Sequence, residues 1–267
     1  MAALIAVAVA WPLDARAQDP DPDRIVNPAR PDFTLVSLPT TLRVPRHKAA
    51  FRVTHRFGRP LGQGDFGDLL ENFFGLDSGA QIGLEYRFGL ISGGQVGIHR
   101  TSNRTIEFFG QYDLVRQTNT DPLGVAVIAT VEGTNNFRDH YTPALGAVVS
   151  YALGTHGAVF IDPMWVHDAN LFPSPLLGTE INTFLVGLGA RLRVRPTVYL
   201  VGEISPRVSG YSPGTHQGSF AIEKRAGGHV FQLNFSNGFG TTIGQVTRGG
   251  TGSDDWYLGF NISRKFF

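Results

Sequence analysis

Ten ionisable residues, Arg52, Arg56, Glu85, Arg87, Glu107, Asp162, Arg191, Arg193, Glu203 and Glu223, alternate with apolar neighbours and share their side with small or amide side chains. On facing walls, charges of both signs do one of two things. They build an ion-paired interior that blocks flow, or they line a polar constriction that selects solutes. Their balance speaks against a strong preference for anions or cations. His55 and His229 fall on the opposite, apolar parity. A histidine acting as base to a serine two residues away on the same strand would be lipid-hydrolase chemistry, and no His-x-Ser occurs in the chain. Asp139-His140, His167-Asp168, His216 and Asp254-Asp255 supply oxygen and imidazole groups, but their spacings match no metal motif. The glycines of Gly62-Gln63-Gly64 and Gly249-Gly250-Thr251-Gly252 precede no helix carrying Lys-Ser/Thr, so they read as loop rather than phosphate cradle. No catalytic residue, metal site or cofactor is expected.

The composition narrows what can position these groups. The 267 residues include 33 Gly and 20 Phe, only 17% charged residues, and a net charge of +1. Charge is low and glycine high for a soluble domain. Without basic runs there is no footprint for nucleic acid. The absence of cysteine excludes disulfides, a thiolate zinc site, a cysteine nucleophile and a lipoprotein anchor. No apolar run approaches the ~18 residues of a spanning helix. A membrane location therefore requires a closed barrel, the other structure that satisfies every backbone polar group in lipid.

From Lys48 onward the hydrophobic period is two. Ala80, Ile82, Leu84, Tyr86 and Phe88 share one face, with Gln81, Gly83, Glu85 and Arg87 on the other. Phe184–Val194 repeats the pattern, setting Phe184, Val186, Leu188, Ala190, Leu192 and Val194 against Gly187, Gly189, Arg191 and Arg193. Twelve such segments are expected, near 48–57, 80–88, 94–101, 104–114, 122–132, 144–153, 157–165, 182–194, 197–206, 218–225, 229–236 and 255–266. The connections sort by side. Long ones, at 58–79, 133–143, 166–181, 207–217 and 237–254, alternate with short ones, as outer loops and periplasmic turns do in outer-membrane barrels. Ser102-Asn103 is the one tight turn on the long-loop side.

Outward aromatics form two belts at the expected interfaces. One holds Tyr86, Phe88, Tyr112, Tyr151 and Phe266. The other holds Phe57, Trp165, Phe184, Phe220, Phe235 and Tyr257, the last only if its strand's parity shifts by one. A soluble β-sandwich would alternate in the same way, but its wet face would carry many Lys and Glu. This chain has three lysines, and its polar face is Gly, Ser, Gln and isolated Arg or Glu. By parity His55 and His229 face lipid, so both belong near an interface or at a bulge that turns them inward.

Three segments depart from the pattern. Ala2–Trp11, Pro12 and Ala15-Arg16-Ala17 read as a secretory leader over 1–17 cleaved after Ala17. Residues 18–45 read as a periplasmic N-terminal arm, with the barrel over 46–267. Phe66–Leu76 looks like a short amphipathic helix in the first long loop, packing on its own barrel rather than capping the mouth or lying on the headgroup layer.

The chain resembles a bacterial family of membrane-bound β-barrels of unknown function. The likeness rests on Thr54-His55-Arg56-Phe57-Gly58, Asn72-Phe73-Phe74-Gly75-Leu76-Asp77, Leu84-Glu85-Tyr86, Arg100-Thr101-Ser102-Asn103, Gly227-Gly228-His229-Val230-Phe231-Gln232-Leu233 and Leu258-Gly259-Phe260-Asn261-Ile262-Ser263-Arg264. It implies the fold and an outer-membrane location, brings His55, Arg100 and His229 forward as motif residues, and supplies no activity. The expected protein is an all-β, up-and-down transmembrane barrel of about twelve antiparallel strands in the outer membrane of a Gram-negative bacterium. Its expected role is a narrow channel or passive transport barrel for small solutes. The alternatives are a non-conducting adaptor barrel and an outer-leaflet lipid hydrolase. Expected partners are outer-membrane lipid, lipopolysaccharide and, through Phe266 or Phe267 of the last strand, the outer-membrane assembly machinery; the oligomeric state is left open.

Overall fold

The computed structural model describes residues 27–118, 120–173 and 179–267. The expected leader and residues 18–26 of the arm lie outside them. The strands are β1 (Ala49–Pro60), β2 (Ala80–Ile91), β3 (Gly94–Thr101), β4 (Ile106–Val115), β5 (Leu123–Gly133), β6 (Asp139–Ala152), β7 (Gly157–His167), β8 (Asn182–Arg195), β9 (Val198–Ser205), β10 (Arg207–Ser209), β11 (Gln217–Ala226), β12 (His229–Ser236) and β13 (Tyr257–Lys265). Each pairs antiparallel with its sequence neighbour around the ring. β9 pairs with β8 and β11, and β13 closes on β1 through Ala50–Lys265 to Arg56–Gly259. Twelve strands make the closed barrel. The three-residue β10 prolongs β9 along β8.

Closure follows from the period of two. Leu84, Tyr86, Ile98, Phe108, Ile161, Leu188, Ile222 and Leu233 remain exposed on the outside, while their sequence neighbours are buried within. A continuous exposed apolar band of this kind suits lipid rather than water. The mouth where β1 starts and β13 ends, called here the near mouth, has the short turns. The far mouth carries α1 (Phe66–Glu71), α2 (Thr134–Phe137) and α3 (Ile243–Arg248).

Four expectations change. The long loop over 133–143 contracts to residues 134–138, because β6 starts at Asp139 and pairs with β5 as far as Tyr141–Gly133. Tyr257 is buried inside, on the parity of Asn261 and Ser263. It packs on Phe239 with ring centroids 4.4 Å apart, so Trp256, against Phe220, takes its outward place. The helical segment of the first long loop is α1 plus a 3-10 turn at Phe73–Gly75, and Phe66, Leu70, Phe73 and Leu76 point off the barrel into exposure.

The largest change concerns the arm. From Ala29 to Val44 it is packed inside the barrel rather than free of it. It folds as a hairpin closed by a Thr34–Pro39 bridge, with Leu35 N–H donating to the Leu38 carbonyl (2.8 Å) and Thr40 N–H to that of Phe33 (2.9 Å). Burial of apolar side chains drives this. Leu35, Val36 and Leu38 join Ala158, Phe160, Val201, Ala221 and Val246 in one core cluster, and Phe33, Leu42 and Val44 form another with Ala50. Gly187 and Gly189 make the room: a Cβ on Gly189 would lie 2.1 Å from Leu35 Cδ1, and one on Gly187 2.9 Å from Leu38.

Candidate functional site: the closed lumen

The lumen is closed from both mouths. The hairpin enters from the near mouth and its tip meets α3 folded in from the far one, where Ser37 Oγ donates to the Gly240 carbonyl (3.0 Å) and Val246 packs with the tip leucines. Between them a cavity of about 20 Å³ remains beside Glu85, His99 and Glu107, roughly the room one water takes.

Nine of the ten expected inward residues are buried in this space. Glu85 sits between Arg52 (3.5 Å) and Arg87, and the Arg87 guanidinium lies over Phe109 (4.6 Å) and Phe33 (5.6 Å). Arg191 pairs with Glu223 at 3.0 Å, both fully buried. Glu107 accepts from Ile243 N–H at the start of α3 (2.8 Å). Arg56 donates to Asn261 Oδ1 (2.9 Å) and the His55 carbonyl (3.0 Å). Asp162 is buried with no ion pair among the described residues. Arg193 is the exception. It sits half-exposed at the near end of β8 and donates to the Pro196 carbonyl, because the strand ends there and its side chain closes the turn.

The wall grips the hairpin chiefly by its backbone. Arg191 donates to the Thr34 carbonyl (2.6 Å), Arg52 to that of Val36 and Lys265 to that of Pro31. Four amide side chains do the same at 3.0–3.3 Å: Gln232 to Leu35, Asn261 to Val36, Gln111 to Thr40 and Gln95 to Leu42. In the opposite sense, the Glu203 carboxylate accepts the N–H groups of Val36 (2.9 Å), Ser37 (2.9 Å) and Leu38 (3.1 Å) at the tip. Three consecutive amides converging on one carboxylate are a backbone anion nest turned inward.

The motif residues lie elsewhere. His55 stacks on Phe260 (4.8 Å) and against Phe57 (4.4 Å) on the outer face. His229 stacks on Phe231 and meets Arg264 Nη1 at 3.0 Å, while exposed Arg100 donates to Asn136 Oδ1 (3.1 Å). Sequence reasoning missed His99 and Glu132, both buried inward; their strand parity, shared with Gln95 and Thr130, was the available signal. It also missed Lys265 and Asp32, which become lumen groups only once the hairpin is inside; Ser263 donates to Asp32 at 2.7 Å.

A family model described as a membrane-bound beta barrel domain (DUF5777), of unknown function, matches residues 32–266. The chain belongs to this family. The matched span of this DUF5777 barrel begins at Asp32 and so takes in most of the lumen hairpin. No curated protein matches the sequence. Among solved structures, the fold is similar to the NanC porin (TM-score 0.54, 8% identity, covering 82% of this chain and 99% of that one). It is also similar to the COG4313 outer membrane channel from Pseudomonas putida F1 (TM-score 0.52, 11% identity, 84% and 97% covered). At these identities the likeness is one of fold.

Proposed function

We propose that this chain is an outer-membrane channel for small polar solutes, closed at rest by its own N-terminal hairpin. On this reading it is exported through a cleaved leader over 1–17 into the outer membrane of a Gram-negative bacterium, with the near mouth facing the periplasm. One observation carries the reading: the strand ladder is complete without the hairpin. Residues 29–44 pair with themselves at Thr34–Pro39 and with no wall strand, so their departure breaks no inter-strand ladder. What holds them is a set of hydrogen bonds to polar wall groups, for which water can substitute, plus two apolar clusters. The similarity to a porin and to an outer membrane channel is consistent with this role.

The lumen's filling to within one small cavity also favours a second reading, a non-conducting barrel that presents its loops to a partner. Planar-bilayer recording of the refolded chain, beside a variant lacking residues 28–44, separates them. A channel gives rare openings in the full chain and sustained conductance in the variant. Silence from both, with a folded heat-shift on gels, refutes the channel. A hydrolase has less support, since the partners of His55 and His229 are aromatic rings and Arg264 rather than a serine.

A further inference from the structure

The groups that hold the hairpin indicate what else the lumen would hold. Seven wall side chains, three of them cationic, donate to main-chain carbonyls, and one carboxylate accepts main-chain N–H groups. Direct side-chain partners of the segment on the wall are fewer, such as Ser150 on Thr41 and Ser263 on Asp32. The space left by Gly187 and Gly189 takes Leu38 and Leu35, but in its polar contacts the wall reads peptide groups more than side chains. Gln95 shows it most plainly. Its amide donates to the Leu42 carbonyl and accepts from Val44 N–H (3.1 Å), the two-sided pairing that a neighbouring strand would offer.

The charges are also sorted around the ring. Arg52 and Arg56 on β1, Arg87 on β2 and Lys265 on β13 outnumber Glu85 on the same side. Asp162 stands on β7, six strands from β1 in a ring of twelve and so diametrically across from it. Together with Glu203 on β9 and Glu223 on β11 it outnumbers the one buried cation on that wall among the described residues, Arg191 on β8. Cations facing carboxylates across a low-dielectric passage orient a solute that carries an ammonium at one end and a carboxylate at the other.

We propose that the lumen is a recognition path for short peptides. Their carbonyl oxygens would take the donors of Arg52, Arg191 and Lys265, their N–H groups would take Glu203, and the hairpin occupies the same positions in cis. This rests on the reading of the barrel as a hairpin-closed channel, and the test keeps the two apart. The probes are trialanine and trisarcosine, isomers that differ in whether the backbone nitrogens carry hydrogen. Glucose serves as the neutral non-peptide control.

Each probe is added to single channels of the variant lacking residues 28–44 and of full-length Glu203→Gln, with folding checked by heat-shift, and the half-blocking concentration is read. Loss of N–H donors to a buried carboxylate predicts that trisarcosine blocks the deletion variant about tenfold more weakly than trialanine. Glucose should not block at all, and Glu203→Gln should narrow the gap between the isomers. Equal block by both isomers, or passage governed by size alone, overturns peptide recognition while leaving the channel standing. Preferential block by small carboxylates such as acetate over trialanine overturns it in favour of an anion path. No conductance from either folded variant refutes the channel reading itself.

Discussion

Replacing Glu203 by glutamine tests the closure at its most concentrated point. Three tip amides, from Val36, Ser37 and Leu38, reach one carboxylate at 2.9–3.1 Å. Hydrogen bonds to an ionised acceptor contribute about 1.5–3 kcal/mol each, against about 0.5–1.5 for neutral ones. The glutamine keeps one acceptor oxygen, so two bonds weaken by about 1 kcal/mol each, and the third N–H faces an amide donor and loses about 1–2 more. The loss of about 3–4 kcal/mol raises the open-to-closed ratio by roughly two to three orders of magnitude. Open probability in planar bilayers at neutral pH measures it. A folded Glu203→Gln protein whose open probability equals that of the parent would show that the tip amides do not hold the lumen shut.

Three further outcomes follow from the packing. Arg191→Met leaves Glu223 buried without its cation and should lower barrel stability by about 3–5 kcal/mol in a urea titration, whereas Arg191→Met with Glu223→Leu should recover most of it; an unchanged single variant would contradict the pairing. Gly189→Val drives a side chain into Leu35 and should expel the hairpin and raise conductance, while Gly202→Ala, with open space at its Cβ, should be silent. Phe66→Trp, with Trp165 and Trp256 changed to Phe, should be quenched by brominated phospholipid, because α1 exposes Phe66 and Leu70 at the far mouth. Emission indifferent to bromine would place that loop in water.

The strands were legible because each repeats the same local instruction. In β2, β3 and β12 the alternation is clean, and the expected and observed ends agree to within about three residues. β6 was read five residues short because Tyr141-Thr142-Pro143 has no clear alternation and proline discourages a strand, yet pairing with β5 overrides it. Tyr257 was misplaced because two aromatics, Trp256 and Tyr257, adjoin at the strand start and parity alone does not choose between them. The lumen charges were readable strand by strand, since side-chain direction is local. The hairpin was not. Phe33-Thr34-Leu35-Val36-Ser37-Leu38 announces itself as apolar enough to be buried, but whether it packs outside or within depends on a cavity that exists only after twelve strands have closed.

The seam of the barrel joins its first strand to its last, some two hundred residues apart in sequence, so it is the pairing with the greatest loop-closure entropy to overcome. The hairpin lies across that seam from within, bonded to Arg52 of β1 on one side and to Asn261, Ser263 and Lys265 of β13 on the other. It is joined to β1 through residues 45–48 alone, so it is covalently continuous with one strand of the seam and hydrogen-bonded to the other. The sixteen residues that occlude the passage are thus also a brace across the longest-range joint of the wall.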